Sequence, residues 1–409
     1  MRALVVGAGF AGCAAAWQLL RSGAEVSLVW EAGGASELYS GALDREPWAG
    51  RAPLQRPLAG SESEFLASLG LWALNEGTPV RLAAGSGVVR GADLRDRAQL
   101  NLEAWRGSKI AVVDWGRPGW DAAQLARAWS ESTWARESQS ELVRVEVAPP
   151  SREELRLLSD HDLALCFDEP PWQAAVAESL RALDPAFAAC LVGPWLGLSP
   201  DCSERLRRLS GRVLGEPLSD PGGLAGVRFQ IARDAWLGRT RLPAYRGRVH
   251  SLQRTAQGFV AQWQALGAAA SEPLGDAFDC VLLALGGVLG GGVRYQSGLV
   301  STRSGAFSLS LEAPAELRLD GRDVGLVAGS EGADLVALGM GALERVGVRV
   351  TSEQQLPGQP GLFAAGEVVA GRPRTALEAV SAGLRAAEAA LRASTGSVES
   401  SSPAARSAE

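Results

Sequence analysis

The first twenty-three residues, MRALVVGAGFAGCAAAWQLLRSG, constrain the chain more than any other segment. An apolar run at 3–6 leads directly into a G-x-G-x-x-G formed by Gly7, Gly9 and Gly12. A helical run at 13–21 follows, and Ser22-Gly23 ends it. Gly7 permits the tight turn, and Gly9 lets the backbone approach a pyrophosphate. Gly12 allows the helix to pack closely on the strand, while the helix N-terminus offers unpaired N–H groups to an anion. Strand, turn and helix in this order predict a dinucleotide site. They leave open which dinucleotide.

Residues 24–30 (AEVSLVW) read as the second parallel strand, with Glu31 at its end. A Rossmann unit places the carboxylate that bonds a ribose hydroxyl about twenty positions beyond the last glycine. Glu31 is therefore either that carboxylate or a solvated turn residue. In the first role it favours an unphosphorylated ribose, so FAD or NAD over NADP.

A length of 409 residues predicts two domains, one of them discontinuous. The net charge of −6 argues against nucleic acid as a partner, because no basic field exists to hold phosphates. Lys109 is the only lysine, which removes Schiff-base chemistry at any other position. Cys13, Cys166, Cys190, Cys202 and Cys280 form no C-x-x-C, so no iron–sulfur set, zinc set or redox dithiol is expected. That pattern fits buried thiols in a reducing cytoplasm. The two histidines, His161 and His250, are too few for a metal site. No signal peptide is expected, since the first strand begins at once. The longest apolar run, 280–289, is too short to span a bilayer.

Further along, residues 45–57 (REPWAGRAPLQRP) read as a linker. Helical spacing at 61–74 puts Phe65, Leu66, Leu69 and Trp72 on one face. A strand at 109–115 and a turn at 116–119 precede a helix capped by Asp121. Another strand is expected at 141–147, and helices at 171–183 and 202–213. The tryptophans of this region read as core filling. His161, beside Asp160 and Asp162, is placed on a solvated loop. A hairpin of 246–252 and 258–263 contains His250, which reads as structural. Residues 279–287 form a buried strand ending at Gly286-Gly287, with Gly290 to Gly292 just beyond as a backbone able to approach a ligand. A last strand at 361–365 ends at Gly366-Glu367, and a helix is expected at 376–393. Residues 394–409 read as a disordered tail.

Three separated segments resemble the FAD-binding fold of the glutathione-reductase type, as in succinate dehydrogenase and fumarate reductase flavoproteins. They are the opening glycine turn, Ala284-Leu285-Gly286-Gly287, and Gly361-Leu-Phe-Ala-Ala-Gly-Glu367. The resemblance implies FAD, with Glu367 on the ribityl chain. It implies an α/β fold, with a Rossmann-like FAD-binding domain at 1–48, 225–292 and 355–393. An inserted α/β cap domain would take 49–224 and 293–354.

A closer resemblance is to the B subunit of the anaerobic glycerol-3-phosphate dehydrogenase. Leu38-Tyr-Ser-Gly-Ala-Leu-Asp44 is similar to its S-G-x-L-D segment. Residues 111–125 (AVVDWGRPGWDAAQL), 215–229 (GEPLSDPGGLAGVRF), 285–292 (LGGVLGGG) and 365–371 (AGEVVAG) follow in the family's order. The resemblance implies a flavoprotein subunit of a quinone-linked dehydrogenase with flavoprotein and iron–sulfur partners. Alternatives are a stand-alone FAD-dependent oxidoreductase on another small substrate, and a non-catalytic flavin-binding scaffold. Gly7, Gly9 and Gly12 would hold the pyrophosphate, Glu31 a ribose hydroxyl, and Gly366 and Glu367 the ribityl side. Gly286 and Gly287 would adjoin the cofactor. Ser40 and Gly41 would line its approach, unless Ser40 caps a local turn. No catalytic acid–base pair stands out, and Arg303 is one of many arginines able to meet an anion. The location implied is cytoplasmic, with any membrane contact peripheral on the inner face or through a partner.

Overall fold

The computed structural model describes residues 1–47, 57–74, 76–275, 277–296, 306–319, 322–323 and 345–399. The chain divides into two compact units, Met1–Ser36 with Leu237–Glu409, and Glu37–Trp236. The division expected from sequence ran at 48/49, 224/225, 292/293 and 354/355 instead. Residues 48–56 of the expected linker, Arg303 and residues 400–409 lie outside the described residues.

The first unit is built on one twisted sheet. Its strands are β1 (Arg2–Val6), β2 (Glu25–Trp30), β3 (Ala244–Thr255), β4 (Gly258–Ala265), β5 (Cys280–Leu283) and β6 (Leu362–Ala364). The order β4-β3-β2-β1-β5-β6 continues at the β4 edge with the short strand Glu272–Pro273. Pairings β3–β2, β2–β1, β1–β5 and β5–β6 are all parallel. This is the Rossmann-like, doubly wound arrangement, with the strand order reversing direction between β1 and β5. Ala3, Leu4 and Val5, like Val281, Leu282 and Leu283, are wholly buried, as central parallel strands covered on both faces require.

Helix α1 (Phe10–Arg21) packs on α2 (Ala376–Glu399) through small residues. A Cβ at Gly383 would overlap the Ala11 carbonyl oxygen, so the two backbones meet where no larger residue fits. Helix α2 runs six residues past its expected end, into the segment read as tail. Ser394 Oγ donates to Leu391 O at 2.8 Å and Thr395 Oγ1 to Arg392 O at 2.9 Å, satisfying polar side chains within the helix. Strand β3 serves two partners. Residues 244–246 pair with β2, and Gly247 onward pairs antiparallel with β4, the register shifting at His250.

The second unit carries its own four-stranded sheet, wholly parallel. Its order is Leu214–Gly215, Phe187–Leu191, Lys109–Asp114 and Glu141–Glu146. Asp121 Oδ1 accepts from Gln124 N at 2.9 Å and starts the helix Ala122–Ser130, as its sequence predicts. Trp115, Trp120, Trp129, Trp134 and Trp195 are all buried in this unit's core. Trp129 is the largest wholly buried side chain, and its Nε1 donates to Ala84 O at 2.9 Å. Two expectations need correction here. The helix expected through 74 stops at Leu69, because Gly70 adopts φ +71°, and Trp72 lies in the strand Trp72–Ala73. His161 is in the first turn of the helix Asp160–Asp168, which Ser159 caps by accepting from Asp162 N.

Candidate functional site

The site begins with the backbone of the glycine turn in the first unit. Gly7 has φ +113° and donates to Val29 O at 2.7 Å, tying the turn to β2. A Cβ there would overlap the Ala284 carbonyl, and one at Gly12 would overlap the Gly7 carbonyl. Both positions therefore demand glycine for close approach. Gly9 differs, because its Cβ would meet only the Ser36 hydroxyl, at 2.8 Å. Ser36, in the 3-10 turn Gly34–Leu38, is buried and accepts from Phe10 N at 3.2 Å. A hydroxyl thus stands at the first amide of α1.

The carboxyl ends of β1 and β2, with residues 247–249 of β3, open on a cleft of about 630 Å³. Gly7, Glu31, Arg248, Arg294 and the glycine pair Gly290-Gly291 are among its lining. Glu31 stands half-exposed at the end of β2, with Arg248 Nε 3.9 Å from its Oε2. Arg248 Nη2 donates to Ser310 O at 2.9 Å. A dinucleotide fits this arrangement on two counts. The turn offers backbone where any side chain would intrude, and the cleft holds the carboxylate at the end of the adjacent strand.

The remaining predicted glycines of this unit gather at the ends of β5 and β6. Gly286 has φ +79° and lies against Gly290. A Cβ at Gly287 would overlap Arg374 Nη1 and approach Glu367 O to 3.0 Å. Gly366 has φ +76°, and its Cβ would come 2.7 Å from Ala11 Cβ on α1. Glu367 follows in a single 3-10 turn, and its carbonyl accepts from Arg374 Nη1. Arg374 Nη2 also donates to Val346 O at 2.9 Å. Gly7, Gly9, Gly12, Glu31, Gly286, Gly287, Gly366 and Glu367 thus lie toward the carboxyl ends of the parallel strands β1, β2, β5 and β6.

Ser40 and Gly41 belong to the second unit and are occupied there. Ser40 O accepts from Ser219 N and from Gln99 Nε2, both at 2.9 Å. Gly41 has φ +105°, and a Cβ would overlap the Gln99 amide. Its carbonyl accepts from the buried Tyr39 hydroxyl at 2.6 Å, which itself accepts from Trp72 Nε1 at 2.6 Å. Burial pushes the Tyr39 phenol well above its ordinary range.

His250 Nε2 lies 3.0 Å from Gln264 Oε1 on the neighbouring strand. Ser36, Arg248 and Arg374 are the residues that sequence reasoning missed. Only Ser36 left a sequence signal, a hydroxyl in the short Gly33-Gly34-Ala35-Ser36 segment that follows the carboxylate. Among the described residues, no group of three His, Cys, Asp or Glu is placed to hold a metal ion. No helix of the described residues is long and apolar enough to cross a membrane.

No family model and no curated protein matches the chain. Solved structures do. The GidA-related protein of Thermus thermophilus is 14% identical over 95% of this chain and 97% of its own, with a TM-score of 0.32. T. acidophilum thioredoxin reductase is 12% identical over 96% and 98%, with a TM-score of 0.25. Mycobacterium smegmatis Sdh1, solved in complex with UQ1, is 10% identical over 98% and 72%, with a TM-score of 0.37. With every one of these scores below 0.5, the fold assignment rests on the sheet topology described above.

Proposed function

We propose that the chain is an FAD-dependent oxidoreductase. One observation carries this reading. The positive-φ turn at Gly7 and the Glu31 carboxylate line one cleft at the carboxyl ends of β1 and β2. Gly7, Gly9 and Gly12 would bring backbone to the pyrophosphate, and Ser36 would offer its hydroxyl proton to the same oxygens. Glu31 would accept a hydrogen bond from the adenosine ribose. Gly286 and Gly287, packed against Gly290, Arg374 and the Glu367 carbonyl, would bring backbone, with Gly366 and Glu367, to the ribityl end. When bound, FAD supplies the redox chemistry, and the protein contributes position, electrostatics and access.

The finer reading is a flavoprotein subunit of a quinone-linked, glycerol-3-phosphate dehydrogenase-like complex, acting with flavoprotein and iron–sulfur partner subunits. Its support is the ordered series of segments at 38–44, 111–125, 215–229, 285–292 and 365–371. The test is made on the purified chain, whose visible spectrum is recorded before glycerol 3-phosphate is added without oxygen. Bleaching of bound flavin by the chain alone, or only after a partner is added, supports the finer reading. Bound flavin that never bleaches with this substrate leaves the oxidoreductase and overturns the glycerol-3-phosphate assignment. A chain that binds no flavin overturns both.

A further inference from the structure

Arg248 is held in an unusual way for a residue facing a carboxylate. It lies on β3 just beyond the residues that pair with β2, two positions after Arg246, the partner of Trp30. The pairing of β3 on β2 brings Arg248 beside the end of β2. Its Nη2 is anchored on Ser310 O at 2.9 Å, not on Glu31. The Nε–H is buried and has no hydrogen-bond partner among the described residues. Glu31 Oε2 is 3.9 Å away, near enough for attraction but beyond hydrogen-bond reach. Arg248 and Glu31 therefore line one cleft, side by side and not joined.

The chemistry of that gap is selective. A phosphate would meet the Glu31 charge, and an ammonium would meet Arg248. A hydroxyl suits both, because it donates to the carboxylate and accepts from the guanidinium with its lone pairs. A vicinal diol presents two such groups at adjacent carbons. We infer that Arg248 is a specificity-determining residue of the cleft, reading the adenosine ribose diol of the cofactor together with Glu31. The inference rests on the dinucleotide reading of this cleft. It adds a donor to a site where that reading has only an acceptor, and gives the buried Nε–H its partner.

The test compares binding of FAD, its 2′-deoxyadenosine form and FMN, followed by flavin fluorescence. The wild-type chain is expected to prefer FAD over the deoxy form by about tenfold. R248L should cut that preference to about twofold and leave FMN binding unchanged. The double variant E31Q/R248L should discriminate no more than R248L alone, since the two act on one diol. Should R248L fail to fold, R248K keeps the charge but lacks the Nε donor and should lose the same preference. A folded R248L or R248K that retains full discrimination overturns the inference and spares the flavin reading. A wild-type chain that binds no FAD overturns both together.

Discussion

The Ser36 hydroxyl accepts the amide proton of Phe10 at 3.2 Å, across 26 positions of sequence. It stands at the N-terminus of α1, where the helix dipole and free amides favour an anion. Its oxygen is engaged as an acceptor, and its own proton would serve an anion placed at the helix end. Replacing Ser36 with alanine should weaken FAD binding by about tenfold, the worth of one hydrogen bond to a charged acceptor. Threonine should restore most of the loss. Titration of the apoprotein with FAD checks this, and equal affinity in S36A removes Ser36 from the pyrophosphate site.

Gly9 and Gly12 of the turn should separate by what a methyl group meets. At Gly12 the obstacle is the Gly7 carbonyl, which is backbone and cannot turn aside. Gly12→Ala should lower stability by roughly 2–3 kcal/mol. At Gly9 the obstacle is the end of the Ser36 side chain. Gly9→Ala should fold with a loss under about 1 kcal/mol, yet bind FAD more than tenfold less tightly. Denaturant melts beside flavin titration read the two effects apart.

What the sequence revealed and what it hid follow from distance along the chain. The glycine turn, Glu31 and the paired glycines at 286–287 were legible from residue type and local spacing, although the atoms that crowd Gly7 and Gly287 belong to the distant Ala284, Glu367 and Arg374. Trp72 was misplaced because apolar spacing continued past Gly70, although a left-handed glycine ends the helix there. His161 was misplaced because the Ser159–Asp162 cap was not read as a helix start. Arg248 had no local signal at all. Its meeting with Glu31 joins residues brought together only by the parallel pairing of β3 on β2.

Inside the second unit, Arg228 and Glu216 form a bidentate pair with both N–O distances at 2.7 Å and no exposed surface. Arg228 Nε also donates to Gly197 O at 2.8 Å, and Asp96 Oδ2 lies 3.7 Å from Nη1. Removing the carboxylate alone, as in Glu216→Leu, strands a buried guanidinium and should cost about 3–5 kcal/mol. Adding Arg228→Met to that variant should recover most of the loss. A double-mutant cycle by urea denaturation decides, and simple additivity would sink the account.

The thiols should be inert in the folded chain. Burial pushes Cys190 up to about 11, and Cys202 and Cys280 up to about 12. Cys166 is raised too, first by burial, but it is only partly covered. A thiol reagent at about pH 8 should therefore find at most Cys166 in the native protein, and all five cysteines after denaturation. Rapid labelling of two or more thiols before unfolding would contradict the packing.

Asp93 should make the second unit less stable as pH rises. Its Oδ2 accepts from Arg45 N at 2.8 Å, while Oδ1 is buried without a partner among the described residues. Burial raises its carboxyl above the ordinary 3.8, more than the Arg45 contacts lower it. The folded state then binds more protons than the unfolded state, so this group's contribution is full below 3.8 and is lost as pH rises through the higher folded value. Asp93→Asn removes that dependence. The variant should therefore gain stability relative to wild type as pH climbs from the unfolded value, and hold a constant advantage once Asp93 is fully ionised. Denaturant melts in steps from about pH 3.5 to 7.5 measure the difference. A stability gap that stays flat across that range would show that Asp93 has the same proton affinity folded and unfolded.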